Sequence, residues 1–312
     1  MILGIEIEPS SLRIAQIEKK YELVNWEFTE LPEGVMSNEG ILDADIFVNT
    51  LLRALANFKV KNPKVAFAVS GPTNTAVRIL KVPYVDRDEI ALNLPHELDK
   101  HIPFSVKEVY FDFHILSQAK DKSFTEVIVA VANRQLVDEY IKAFEKAGMS
   151  VALIDISAIA LFNIYEVSYT DNLPVAVINI GENVINFSIS RKSKPLFIRD
   201  STHNFNVNIE SASEDELRNF ADEVAAEIYR QVEYFKNFME EDAVRKIYIT
   251  GYLSNYPTFV SSLQERLEQE VQEFNPYKKI KINKKIEAKM KKYSHLASVS
   301  MGLSLRGTEK LK

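Results

Sequence analysis

The chain has 312 residues, 38 basic against 44 acidic side chains for a formal charge of −6, 46% apolar residues and no cysteine. At about 150 residues per domain this length predicts two domains, each with enough apolar mass for a core. Without cysteine a disulfide scaffold, a thiolate zinc site and cysteine catalysis are excluded, and interspersed charges with no basic stripe argue against a nucleic-acid partner.

Three short β-favouring runs open the chain, Ile2 to Ile7, Leu12 to Glu18 and Tyr21 to Phe28, joined at Pro9-Ser10-Ser11 and Lys19-Lys20. The first run carries Glu6, with Glu8 directly after it, and has no basic residues ahead of it, so a strand is expected here rather than a signal peptide. A helix over Ala44 to Phe58 places Phe47, Leu51, Leu52 and Leu55 on one face, and a strand over Val65 to Val69 runs into the turn Ser70-Gly71-Pro72. Asp86 and Glu89 form a capping box for a short helix that Pro95 is expected to end or kink. Glu108 to Leu116 and Glu126 to Ala132 read as strands, and Asn133 caps a helix that Gly148 closes. The apolar stretch Val151 to Phe162 is interrupted by Asp155 and falls short of the ~20 residues of a bilayer span.

After Pro174 the opening pattern returns: Val175 to Ile180, Asn183 to Ser190 and Pro195 to Arg199, joined at Gly181-Glu182 and Arg191-Lys192-Ser193. Two such meanders, half a chain apart, point to an internal duplication. Ser213 and Glu216 make a capping box for a long helix whose Leu217, Phe220, Val224, Ile228, Val232, Phe235 and Phe238 share one face. A strand over Lys246 to Thr250 ends in Gly251, a helix is expected over Tyr256 to Gln272, and a last helix over Ser294 to Leu305 is rich in small residues. The lysines between Lys278 and Lys292 read as a solvated face, and His96, His101, His114, His203 and His295 are too scattered for a metal site.

The strand-to-glycine turns are the candidates for chemistry. Glu6 to Ser11 and Asn179 to Asn183 hold equivalent places in the two copies, and Ile249-Thr250-Gly251-Tyr252 is a third such turn. Backbone amides at facing turns can clamp phosphates, although each turn taken alone is equally an ordinary reversal of the chain.

Gly4-Ile-Glu-Ile-Glu-Pro-Ser-Ser-Leu-Arg13 is similar to the opening phosphate loop of the actin-like ATPase superfamily. Val77 to Pro83, His101 to Phe104 with Val109 to Leu116, Asp155, Glu227 to Tyr234 and Val299 to Arg306 resemble further segments of its type IV pilus assembly PilM family, so the likeness spans about residues 2 to 307. The resemblance implies an α/β actin-like fold, two ribonuclease-H-like domains flanking a nucleotide cleft. The first domain would comprise 1–76 plus 151–172, an inserted α+β subdomain 77–150, and the second domain 173–312 with its own helical insertion at about 200–245. It further implies an ATP and magnesium site at Ser10, Ser11, Arg13, Gly181, Glu182, Asn183, Glu227, Arg230, Gly251 and Tyr252, with Glu6 on the magnesium side and catalytic if the chain is active.

Four departures bear on that site. Glu6 and Asn179 stand where the family has aspartate, and Glu8 and Tyr252 where it has glycine. A glutamate at the loop adds a negative charge and a Cβ where an anion should approach. The expectation is a weakened or lost nucleotide site, with hydrolysis less favoured than binding. As partner the resemblance implies the cytoplasmic N-terminal tail of the inner-membrane protein PilN, held between the first domain's core and its insertion with Phe104 as a groove residue. It also implies other pilus machine proteins, a ring or homo-oligomer, and a cytoplasmic place at the inner membrane face reached through partners. The alternatives are an active ATPase or kinase-like enzyme, a filament-forming cell-division-type protein, and the cytoplasmic domain of a type II secretion L-class protein.

Overall fold

The computed structural model describes residues 2–203, 212–238 and 242–307. Strands β1 (Ile2–Glu8), β2 (Ser11–Glu18) and β3 (Glu22–Glu30) form the first antiparallel meander. There follow a small hairpin, β4 (Met36–Ser37) and β5 (Gly40–Ile41), then α1 (Ala44–Ala54) and β6 (Lys64–Val69). The Asp43 side chain caps α1 by accepting from the Ile46 N–H at 2.9 Å. Phe47 and Leu51 are buried but Leu52 is 45% exposed, because the next position along a helix turns about 100° away from the buried stripe.

β7 (Thr75–Val82), α2 (Arg87–Leu98), β8 (Val109–Gln118) and β9 (Thr125–Asn133) build a three-stranded sheet in the order β7-β9-β8 with α2 packed on it. α2 runs on through Pro95 to Leu98, so of the expected end or kink the end does not occur. Buried Ile90, Leu94 and Leu98 hold both turns on the sheet, and Ala91, whose carbonyl would have bonded the missing N–H, is on the exposed side. Then come α3 (Arg134–Lys146), β10 (Ser150–Ile156) and α4 (Ser157–Ser168).

The second meander is β11 (Val175–Ile180), β12 (Val184–Arg191) and β13 (Lys194–Thr202), followed by α5 (Glu214–Phe238), β14 (Lys246–Gly251), α6 (Pro257–Arg266) and β15 (Glu270–Glu273). Ser213 caps α5 in the expected reciprocal pattern with Glu216. The side chain of Phe238, expected on the buried face of this helix, lies outside the described residues. The helix expected over Tyr256 to Gln272 is instead α6 and β15. Leu263, Leu267 and Val271 recur every fourth residue and are buried, as a helix would bury them, yet Val271 reaches the core from a strand paired in parallel with β14. The chain closes with β16 (Lys281–Ile282), α7 (Glu287–Tyr293) and α8 (Ser298–Leu305).

The sheets run β10-β6-β1-β2-β3-β16 and β13-β12-β11-β14-β15. In each, a meander is joined through its first strand to two parallel strands, so the duplication read from the sequence holds. Even the turn chemistry repeats. Lys20 and Tyr21 have φ of 68° and 54°, and Lys192 and Ser193 have 50° and 60°, the paired left-handed residues that suit a twisted hairpin. The first sheet is buried on both faces. One face packs on α1 and α3, the other on α4 and α8. Ser298, Ser300, Gly302 and Ser304 let α8 lie close, and Ser304 Oγ accepts from the Ile17 N–H at 2.8 Å.

Candidate functional site

The fold brings the β1–β2 and β11–β12 turns against each other. The Glu182 carboxylate accepts from the Ser10 N–H at 2.8 Å, the Ser10 hydroxyl at 2.7 Å and the Ser11 hydroxyl at 2.9 Å. Tyr252, in the turn after β14, donates its hydroxyl to the same carboxylate at 2.6 Å and lies 2.8 Å from Ser11 Oγ. In return, the Glu182 N–H donates to Glu8 Oε2 at 3.3 Å.

Hairpin register explains the rest of the cluster. Residues two apart on a strand share a face, so Glu6 and Glu8 point together, and pairing sets Glu6 opposite Arg13 and Glu8 opposite Ser11. Arg13, 1% exposed, pairs with Glu6 at 2.9 Å, lies 3.8 Å from Glu8 and places its guanidinium 4.7 Å over the Tyr252 ring. Gly251 has φ +97°, and a Cβ there would fall 2.2 Å from the Ile180 carbonyl, so this turn requires glycine.

Three carboxylates thus surround one guanidinium. Burial raises Glu6 above its ordinary value against the opposing pull of Arg13. Burial likewise pushes Glu8 up to about 8, with Arg13 opposing and Glu182 and Glu6 adding to the rise. For Arg13 burial works against the charge, but Tyr252 and the carboxylates more than offset it and the guanidinium stays protonated. Glu8 therefore keeps a proton in the folded chain that it loses when unfolded, and stability must fall as pH rises toward and through about 8. Between pH 7 and 9 this group should cost about 1.4 kcal/mol. Glu8→Gln should flatten that slope, measured by urea unfolding at the two pH values; an unaltered slope would remove Glu8 as its source.

A second network, centred on Asp200, links the halves further along. Asp200 accepts from Asn186 Nδ2 at 2.8 Å, the Gly71 N–H at 2.8 Å and the Thr75 hydroxyl at 3.1 Å, and Asn179 donates to Asn186 Oδ1 at 3.0 Å. Burial raises Asp200 while these donors hold it down. The strand expected over Pro195 to Arg199 stops one residue short of Asp200, which β13 includes.

Of the other expected site residues, Asn183 donates to Asn38 Oδ1 at 3.1 Å, and Gly181 closes the β11–β12 turn against Glu8. Glu227 and Arg230 are brought to each other on α5 at 2.5 Å, and Glu227 also accepts from Gln231 at 2.6 Å. Phe104 is half-buried against the core of β7, β8, β9 and α2.

A groove of about 280 Å³ runs between the three-stranded sheet and the first core, lined by Tyr110, Phe111, Ala130, Val131, Ile154 and Ile156 among others. Phe104 is not among its lining residues. β8 and β10 are both outermost in their sheets, and Tyr110 and Ile154 are 41% and 37% exposed. Asp112 and Asp155 supply the acidic lining, and burial pushes Asp155 up to about 6.

The family model for type IV pilus assembly protein PilM matches residues 4–210 and 206–308. Among solved structures, the chain is similar to a PilM-PilN type IV pilus biogenesis complex, with 21% identity, a TM-score of 0.87 and 99% of each chain covered. It also resembles the ethanolamine utilization protein EutJ from Carboxydothermus hydrogenoformans, with 11% identity, a TM-score of 0.55 and coverage of 97% of this chain and 89% of that one. The cytoplasmic domain of EpsL, an inner membrane component of the type II secretion system of Vibrio cholerae, matches at 8% identity with a TM-score of 0.51 over 99% and 96%. The fold is the actin-like one, two ribonuclease-H-like halves about a cleft, as the resemblance implied.

Proposed function

The chain belongs to the type IV pilus assembly protein PilM family, and on that premise we propose that it is a cytoplasmic scaffold that grips the N-terminal tail of PilN, with a nucleotide cleft too degenerate to drive it. The observation that carries the first part is the groove between the three-stranded sheet and the first core. Its lining is largely apolar, and it lies between two strands that are each outermost in their sheets. An extended peptide can add main-chain hydrogen bonds to such an edge while alternate side chains enter apolar pockets. Asp112 and Asp155 favour a tail with positive charge near its apolar anchors. Among the described residues no helix is long and apolar enough to cross a bilayer, so recruitment to the inner membrane face, and to other machine proteins in a ring or homo-oligomer, would run through partners.

Titrating the folded protein with a fluorescent PilN N-terminal peptide tests the reading. Saturable binding is expected, weakened at least tenfold in Ile154→Glu, about 1.4 kcal/mol or more. Ile154 is partly exposed, so this variant should keep the wild-type melting temperature. Undiminished binding by the variant would move the tail to another surface, and no binding by the folded wild type would refute the reading.

The second part is supported by the residues at the turns. Ser10, Ser11 and Tyr252 aim their donors at one point, which suits an anion, but Glu182 holds that point. Glu6, the magnesium-side candidate, is committed to Arg13, and Asn179 to Asn186. With Glu8 alongside, this set does not fit a magnesium triphosphate. A polyanion would meet the Glu182 carboxylate and a buried guanidinium already paired with Glu6.

A further inference from the structure

Resting on the reading of a cleft that does not run on nucleotide, we propose that Glu182 is a built-in anion: it fills the donor nest formed by the β1–β2 turn and Tyr252 and holds the two halves closed without a ligand. Of the donors it meets, the Ser10 N–H and the Ser10 and Ser11 hydroxyls come from the first half and the Tyr252 hydroxyl from the second. Each hydroxyl has a single hydrogen, and the short Ser11–Tyr252 separation of 2.8 Å means the two share theirs between each other and the carboxylate. Such a nest is built for an acceptor-only group, and contacts of 2.6–2.9 Å to a carboxylate fall in the range of charge-assisted bonds.

The arrangement is reciprocal. Glu182 crosses to the first turn, while Glu8 of the first strand accepts the Glu182 backbone N–H. Space for this crossing exists because residue 181 is glycine: a Cβ there would sit 2.7 Å from Glu8 Oε1. The closure is continued along the cleft by Asn183 to Asn38, by Asp200 to Gly71 and Thr75, and by Lys194 to Glu126 at 2.5 Å. If the Glu182 carboxylate is withdrawn, the nest should accept a small monoanion such as formate. The guanidinium beside it, Arg13, is already paired with Glu6, so a multiply charged phosphate is disfavoured.

The test compares wild-type protein and Glu182→Ala by amide hydrogen exchange and by melting in formate against matched chloride. Segments 8–12 and 181–184 should exchange at least tenfold faster in the variant, and formate should restore protection saturably in the variant while leaving the wild type unchanged. Wild-type protection in the variant, or faster exchange that formate does not slow, would overturn the role of Glu182. Should Glu182→Ala fail to fold, the double variant Ser10→Ala with Ser11→Ala removes two hydroxyl donors in small volume, and unchanged exchange in it overturns the proposal equally. Saturable Mg·ATP binding by wild-type protein in the same assay would instead defeat the degenerate-cleft reading, a separate outcome.

Discussion

Replacing Arg13 with methionine is expected to cost about 3–5 kcal/mol of folding stability, with a fall in Tm on the order of 10 °C. The guanidinium is 1% exposed and faces Glu6, which is 3% exposed, with Glu8 and Glu182 in the same field. Removing one partner of a buried pair leaves the other charge without compensation, and the chain escapes only by protonating the carboxylates. Both Glu6 and Glu8 already lie above their ordinary values with Arg13 present, and without it they rise further. Folded carboxylates that hold protons the unfolded chain has released make stability fall as pH rises, so the deficit should be larger at pH 8 than at pH 5. Adding Glu6→Gln to Arg13→Met should recover much of the loss, because the stranded charge is then gone. Urea unfolding of the three proteins at both pH values checks this. A single variant within 0.5 kcal/mol of wild type would show that the cluster is indifferent to its cation.

Local chemistry made the meanders legible. Lys19-Lys20 and Arg191-Lys192-Ser193 read as turns between alternating runs, and the Asn133 and Ser213 caps form at the helix starts they mark. What escaped the sequence depends on partners far along the chain. Ser10 and Glu182 are 172 positions apart, so no spacing rule could reveal that a turn glutamate would occupy the point where an anion was expected. The resemblance implies that the two turns face each other, and the fold adds the Ser10–Glu182 contact. Leu263, Leu267 and Val271 failed for another reason. Their spacing satisfies a helix, but pairing with β14 decides the conformation of the last of them. Pro95 shows the converse, tertiary packing of Leu94 and Leu98 overriding a strong local breaker. Phe104, a groove residue on the resemblance, packs partly buried on the core of its own subdomain.

Gly302→Ala should destabilise the protein by on the order of 3 kcal/mol, although it adds one methyl group. A Cβ at residue 302 would fall 1.9 Å from the Ala160 carbonyl oxygen of α4, and the obstructing atom is backbone that no rotamer change can remove. On the other side of α8, a Cβ at Gly4 would fall 2.1 Å from the Ser300 carbonyl oxygen, so the helix has no direction in which to retreat. α8 also ties both halves together. Trp26 Nε1 donates to Ser300 Oγ at 3.2 Å from β3, and the Thr250 hydroxyl lies 2.8 Å from Ser298 Oγ at the end of β14. Displacing it should therefore loosen the Ser10–Glu182 contact as well as lower the melting temperature, and Gly4→Ala combined with Gly302→Ala should be non-additive because both act on one helix. Gly34→Ala is the control: its φ of +79° costs about 1–2 kcal/mol, but open space surrounds the new methyl. If Gly302→Ala melts no lower than Gly34→Ala, α8 has freedom to shift that these contacts deny it, and its place as the wedge between β1 and α4 is lost.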